Sequence, residues 1–275
     1  MKRVTAFVGS ARKKHTYDAT RQFLDNLRAL GDVECEIVRL GECKLGVCRG
    51  CKTCFLQGEE FCPLKDDRDM LIGKMMASDG VVFATPNYTF QVSAIMKIFL
   101  DRLGFVMHRP CFHGKAFTSI VVQGFYGGGK LVKYLEFVGW GLGFSIVKGT
   151  CITALEPMVE RERRKMDKAL ARQGTRFHQL MSKPSNPTPS LFELMAFRSG
   201  RTAVKKELDD SCRDFTYYRD KGWFDSEYFY PTRLGPPKKA VGAFFDWWAD
   251  RKYRPRGQTG GSRDNGLGSG DGDAP

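Results

Sequence analysis

Apolar and polar residues alternate along the chain in blocks, and each block has a readable period. Residues Lys2 to Val8 form an apolar run, read as a buried strand, that ends in the polar loop GSARKKHTY. From Tyr17 to Leu30, Phe23, Leu24, Leu27 and Leu30 recur at helical spacing. Glu34 to Leu40 gives a second short strand, a cysteine-rich segment follows, and Asp66 to Met76 reads as a helix carrying Met70, Leu71 and Met75. GVVFATP is the third strand. Ile95, Met96, Ile98, Phe99 and Leu103 then make an amphipathic helix with Ser93 as its cap. KAFTSIVVQ, residues 115 to 123, is the fourth strand, and the Gly-rich GFYGGGK leads into a helix through Leu131, Leu135 and Val138. GFSIVKGTCIT reads as the fifth strand, and a charged helix from about Glu156 to Leu180 closes the series.

Strands alternating with helices imply a parallel sheet, whose right-handed crossovers put helices on both faces. The expected fold class is α/β, a doubly wound, five-stranded, flavodoxin-like sheet. Such sheets bind ligands outside the carboxyl ends of their strands. Three unusual loops fall there: GSARKKHT after the first strand, TPNYTFQVS after the third and GFYGGG after the fourth. Residues 1–182 are expected to form this domain, with a cysteine-rich insert at 43–66. The Pro/Ser/Asn-rich KPSNPTPS, 183–190, reads as a linker. A C-terminal extension, 191–256, is rich in aromatic and basic residues and contains a short helix around Ala240 to Arg251. From Gly257 the Gly/Ser/Asp/Asn tail to residue 275 has nothing to bury and reads as disordered.

Composition narrows the class. With 42% hydrophobic and 27% charged residues in 275, the chain has the makeup of a globular protein and enough length for a full core. No apolar run reaches the roughly 18 residues of a membrane span. The opening MKR and its short apolar stretch fall below a signal peptide's apolar region. Nine cysteines, an odd number in a long chain, argue against a disulfide scaffold and for a reducing cytoplasm. The net charge of +13 favours anionic partners without establishing nucleic-acid binding.

The first loop offers amides at a helix start, the hydroxyls of Ser10 and Thr16 and the charges of Arg12 and Lys14, a set suited to a phosphate monoester. An ordinary basic turn is the competing reading. The loop has neither GxGxxG nor the Lys-Ser/Thr pair of a P-loop. In the second loop Pro86 fixes the turn, Asn87 and Tyr88 hydrogen-bond and stack, and Phe90 adds an apolar wall. In the third, which starts at Gln123, Gly124, Gly127, Gly128 and Gly129 allow close backbone approach, with Tyr126 as a cover. Together they form a phosphate clamp beside a flat slot, for which FMN is the natural ligand.

On these stretches the sequence resembles the NADPH-dependent FMN reductase branch of flavodoxin-like proteins, and within it the iron-sulfur flavoproteins. The resemblance rests on GSARKKHT from Gly9, CRGCKTCFLQGEEFCPLKDD from Cys48 and TPNYTFQVSAIMKIFLDR from Thr85, across the first two thirds of the chain. It implies that Ser10, Arg12 and Thr16 hold the FMN phosphate, and that Pro86 to Tyr88 and the loop from Gln123 border the isoalloxazine. His15 departs from the small polar residues usual in that loop. The resemblance also implies a homo-oligomer.

Cys48, Cys51 and Cys54 stand at three-residue intervals, and Cys62 precedes a proline. Three thiolates on one short loop with a distant fourth before Pro suit a [4Fe-4S] cluster, similar to bacterial ferredoxin runs though with a wider gap. A structural zinc site and a clusterless thiol sensor are the alternatives. Cys35, Cys43, Cys111, Cys151 and Cys212 match no pattern and read as core or surface thiols. Asp66, Asp67 and Asp69 are expected to serve a helix start, and the four histidines carry no nucleophile or ligand spacing.

The expected activity is an FMN-dependent NAD(P)H oxidoreductase that needs no side-chain nucleophile and passes electrons to a quinone, flavin or redox partner. An electron carrier that exchanges with ferredoxin and lacks its own hydride donor is the alternative, and the basic charge favours such an acidic partner. A thiol or zinc regulator on a flavin-free scaffold is a third reading. The aromatic C-terminal segment is expected to cover the flavin or extend a subunit interface, ahead of a membrane surface or nucleic acid.

Overall fold

The computed structural model describes residues 1–183 and 186–253. The tail expected from Gly257 lies outside the described residues. The strands are β1 (Lys2–Val8), β2 (Val33–Arg39), β3 (Gly80–Tyr88), β4 (Gln91–Val92), β5 (Ala116–Gln123), β6 (Ser145–Ile146) and β7 (Thr150–Thr153). The helices are α1 (His15–Leu30), α2 (Thr53–Leu56), α3 (Arg68–Ala77), α4 (Ala94–Arg102), α5 (Gly104–His108), α6 (Gly128–Gly141), α7 (Glu160–Met181), α8 (Leu191–Glu207), α9 (Arg213–Asp220) and α10 (Pro236–Lys252).

The sheet runs β2-β1-β3-β5-β6, parallel throughout, with β7 also on β5 and β4 antiparallel to β3. This is the doubly wound order expected, with seven strands in place of five. The first difference is the fifth strand, which breaks in two. Phe117 pairs with Ile146 and Ile120 with Thr150, so one strand advances a residue further than its partner, as in a bulge. At the break Gly149 lies so close to β5 that a Cβ would sit 2.2 Å from Ser119 Oγ. The second is a hairpin where a plain loop was expected after the third strand. Asn87 pairs with Val92 and Tyr88 with Gln91 across Thr89 and Phe90, both left-handed (φ 51° and 59°). That is the two-residue turn whose twist suits a hairpin, built here without glycine at a backbone cost of about 1–3 kcal/mol per residue.

Each face of the sheet carries its own core. Phe7, Phe83, Phe99 and Phe117 pack under α3, α4 and α6 on one side, while Ala6, Phe23, Ile120 and Phe177 pack under α1 and α7 on the other. The strands are therefore apolar on both faces, which is why they read as continuous runs. The extension is more helical than the sequence indicated: α8, α9 and the segment after α9 build a third cluster on Leu194, Phe197, Tyr218, Trp223 and Tyr228, and a longer α10 packs along α8. Among the described residues no helix is long and apolar enough to cross a membrane.

Candidate active site

β1 runs into Gly9, where a Cβ would meet Met96 Cβ at 2.8 Å, so the chain passes tightly over the start of α4 before the first loop. Ser93 caps that helix by accepting from Met96 N, as its position implied, and donates its hydroxyl to Gly9 O. At the carboxyl ends of β1, β3 and β5, one cleft is lined by Ser10, Arg12, Lys14, Thr16, Asn87, Tyr88, Gln123 and Gly124. Three separate loops meet there, as strand order requires. The amino end of α1 faces the cleft with no side-chain cap, leaving first-turn amides for an anion. Ser10 Oγ donates to Arg12 O (2.9 Å) and shapes the loop.

Phe90, Tyr126 and Gly127 do not line the cleft themselves but adjoin Asn87 at its edge, while Pro86 is buried within β3. Asn87 Nδ2 donates to Tyr126 O (3.0 Å), and the Phe90 and Tyr126 rings lie 5.3 Å apart. Gly127 is left-handed (φ 91°), and a Cβ there would meet Phe90 at 2.8 Å. Gln123 binds its own loop, accepting from Gly128 N (2.7 Å) and donating to Thr153 Oγ1 (3.0 Å). Asn87 Oδ1 is buried with no partner. Tyr88, Phe90 and Tyr126 are all more than half exposed, rings standing ready at the edge of the cleft.

Glu156 is the residue that sequence reasoning missed. It follows the split fifth strand and enters the cleft, where its carboxylate takes Lys14 Nζ (3.1 Å) and lies 3.3 Å from His15 Nε2. The hydrogen bond and charge of Lys14 hold its pKa below the usual carboxylate value. An internal anion thus sits on the cations of the first loop. The available signal was positional, since the loop after the last strand of such a sheet also borders the ligand crevice.

Cys48, Cys51, Cys54 and Cys62 line a second pocket, with Arg68, Asp101, Arg102 and Phe105. Cys62 is buried, Cys54 half-buried, and Cys48 and Cys51 exposed. Arg102, itself buried, donates Nη1 to Cys62 Sγ (3.2 Å). Burial opposes ionisation of Cys62, but the Arg102 and Leu64 hydrogen bonds and the charges of Arg102 and Arg68 carry its pKa below that of a free thiol. Cys54 moves the other way, raised by burial and by the neighbouring Cys62, Cys48 and Cys51 sulfurs. Arg109 completes the shell, donating Nη2 to Cys54 O (2.9 Å). Among the described residues no group of three or more His, Cys, Asp or Glu side chains is arranged to hold a single metal ion.

Asp66 does more than serve a helix start. Its Oδ1 accepts from Arg102 Nη2 (3.0 Å) and Arg68 N (3.2 Å), and its Oδ2 from Gly46 N (2.9 Å), so it pins both ends of the cysteine insert. Asp67 Oδ2 likewise takes Lys44 N (2.6 Å). Arg68, Arg102 and Arg109 were not singled out by spacing. The signal was there at Arg102, which continues the apolar stripe of Met96 and Phe99 where a solvated charge has no place.

The model of the NADPH-dependent FMN reductase family matches residues 2–154. The chain belongs to this family. As a family member it is a flavin-dependent oxidoreductase, and its curated relatives place it near the iron-sulfur flavoproteins. An iron-sulfur flavoprotein of Archaeoglobus fulgidus is 34% identical over 161 residues, 54% of this chain and 70% of the relative. A second from the same organism is 28% identical over 162 residues, 57% and 79% of the two chains. RosB, solved with 8-demethyl-8-formylriboflavin-5'-phosphate bound, shares the fold at a TM-score of 0.54 and 12% identity. The match covers 86% of this FMN reductase family chain and 92% of RosB, and so reaches into the C-terminal helices. An NAD(P)H:quinone oxidoreductase of Methanothermobacter marburgensis gives a TM-score of 0.52 at 15% identity, over 63% of this chain and 95% of its own.

Proposed function

We propose that the chain is an FMN-dependent NAD(P)H oxidoreductase of the iron-sulfur flavoprotein type, with FMN in the cleft at the strand ends and a [4Fe-4S] cluster on Cys48, Cys51, Cys54 and Cys62. The observation that carries the first part is the convergence of an uncapped helix start, Arg12, Lys14, Ser10 and Thr16 with Asn87, Tyr88, Gln123 and Gly124 around one cleft. Arg12, Lys14 and the α1 amides bind the phosphate. The orphaned Asn87 Oδ1 accepts from a ring N–H. Tyr88, Phe90 and Tyr126 flank a flat ring and limit water at it. Bound FMN supplies hydride acceptance from a nicotinamide and onward electron transfer to a quinone, flavin or protein acceptor.

What supports the cluster is the setting of the four sulfurs. They share one pocket lined by the buried Arg68 and Arg102, where Arg102 donates to Cys62 Sγ, and the buried Arg109 holds their loop through Cys54 O. When bound, the cluster supplies one-electron transfer. The two sites adjoin opposite ends of α4, Ser93 at Gly9 and Arg102 at Cys62, about 14 Å along the helix.

Anaerobically purified protein tests both parts. FMN near one per chain with about four iron and four sulfide, and flavin bleached by NADPH in stopped flow, is the expected result. Flavin that stays oxidised under NADPH and NADH but is reduced by ferredoxin would make the protein an electron carrier. Absence of flavin would overturn the oxidoreductase reading.

The position of Glu156 gives a further expectation. Because its carboxylate takes the cation a phosphate needs, Glu156→Gln should tighten FMN binding about two- to fivefold, the scale of an exposed ion pair. The gain should shrink as salt rises. Fluorescence titration of apoprotein with FMN measures it, and unchanged or weakened binding would show that Glu156 does not compete with the phosphate.

A further inference from the structure

A cavity of about 590 Å3 lies between the sheet edge and the C-terminal helices, well within the size of small-molecule sites. Trp140 of α6 and Phe144 to Ile146 at β6 form one side; Phe197 of α8, Tyr228 and Phe229 form the other. His113 precedes β5 and Ser145 pairs with its first residue, so the cavity sits at the amino ends of the strands, away from the cleft at their carboxyl ends. Among the described residues the lining contains no lysine or arginine, in a chain with 44 of them. Its one carboxylate, Glu193, is turned to its own helix start, where it accepts from Ser190 N (2.6 Å). The His113 ring stacks on Phe229 at 5.1 Å, and burial pushes its pKa down to about 4, so it is neutral at pH 7.

We propose that this cavity is a second ligand site, separate from the flavin cleft, that takes an uncharged, flat molecule of about two fused rings bearing a hydroxyl or N–H. The aromatic walls favour a planar ring by stacking and edge contacts. The absence of basic residues gives an anion no counter-charge, the reverse of the flavin cleft. His108, at the cavity wall, meets Asp214 Oδ2 through Nδ1 (2.8 Å), so Nε2 is the ring nitrogen left to face a polar group of the ligand. The same imidazole packs on Phe55 with centroids 4.3 Å apart, beside Cys54, so an occupant touches a ring that bears on the cysteine loop.

The test is calorimetric titration of the full-length, FMN-loaded protein with 2-naphthol, and with 2-naphthoate as an anion of similar shape. Gly200 lines the cavity, and a Cβ there meets nothing within 4 Å, so Gly200→Phe puts a ring into open space while Gly200→Ala leaves the space free. Micromolar binding of 2-naphthol by the natural chain and Gly200→Ala is expected, at least tenfold weaker binding by Gly200→Phe, and at least tenfold weaker binding of 2-naphthoate, with FMN retained throughout. Equal affinity in Gly200→Phe, displacement of FMN by 2-naphthol, preference for the anion, or no binding by the natural chain would each overturn the proposal. Should Gly200→Phe fail to fold, Ala196→Phe from the same wall serves as the blocked variant.

Discussion

Replacing Asp66 with alanine should lower the stability of the fold by about 3–5 kcal/mol, the cost of stranding a buried charge. The partner left behind is Arg102, whose side chain is 3% exposed and whose remaining contacts are a cysteine sulfur and the more distant Leu64 carbonyl. Asp66 also satisfies Gly46 N and Arg68 N, so the same change leaves two backbone donors open and unties the cysteine insert from the start of α3. Urea denaturation gives the first quantity. Limited proteolysis within residues 43–66 gives the second, and the insert should be cut before the sheet. Asp66→Asn keeps an acceptor and loses the charge, so it should fall between. An unchanged midpoint in the alanine variant would mean that water replaces the carboxylate and that the pair is not a structural tie.

The same residue sets a pH dependence. Burial raises the Asp66 pKa, but hydrogen bonds from Gly46, Arg102 and Arg68 and the Arg102 charge outweigh it and leave the value below that of a free carboxyl. The unfolded chain therefore takes up this proton at higher pH than the folded chain does. Asp66 contributes its full stabilisation above the unfolded value of about 3.9, and the contribution is lost as pH falls through the lower folded value. The stability difference between natural protein and Asp66→Asn should accordingly be constant from neutral pH to about 5 and narrow below 4.

Much of the fold was legible because its strands are buried on both faces and its helices on one, so the periods stand out. What escaped was fixed by contacts remote in sequence. The break in the fifth strand depends on the approach of Gly149 to Ser119, which no local pattern reports. α8 was missed because Arg198 and Arg201 interrupt its apolar stripe; both pair with Asp246 of α10 (2.6 and 2.9 Å). In the cleft at the strand ends the loops were legible from position on the sheet, and their glycines and polar residues drew notice. Glu156 had no such surroundings. Around the cysteines the sulfurs announced themselves, while the roles of Arg102 and Arg109 depend on Asp66 and Asp214, which are remote from them in sequence.

Asp214→Ala is expected to loosen the C-terminal extension and the cysteine loop together, at a cost of about 3 kcal/mol for a buried, paired carboxylate. Asp214 is 3% exposed on α9 and faces two consecutive residues of the sheet domain, His108 Nδ1 at 2.8 Å and Arg109 Nε at 3.4 Å. Arg109 lies over the Phe105 and Tyr217 rings, pairs with Glu59 (2.9 Å) and holds Cys54 O, so one guanidinium joins α9, the 3-10 turn at Glu59 and the loop carrying the sulfurs. Cys212 Sγ reaches Phe55 O (3.3 Å) across the same seam. Without Asp214, Arg109 keeps a single carboxylate partner and His108 loses the bond that orients it. Hydrogen exchange should then quicken in α9 and in residues 51–61 alike, while β1 and β3 keep their protection. Asp214→Asn, whose amide oxygen still accepts from His108, should recover part of the loss. Faster exchange in α9 alone would mean that the extension packs against the cysteine loop without bracing it, and would return the ordering of that loop to Asp66 and Arg102.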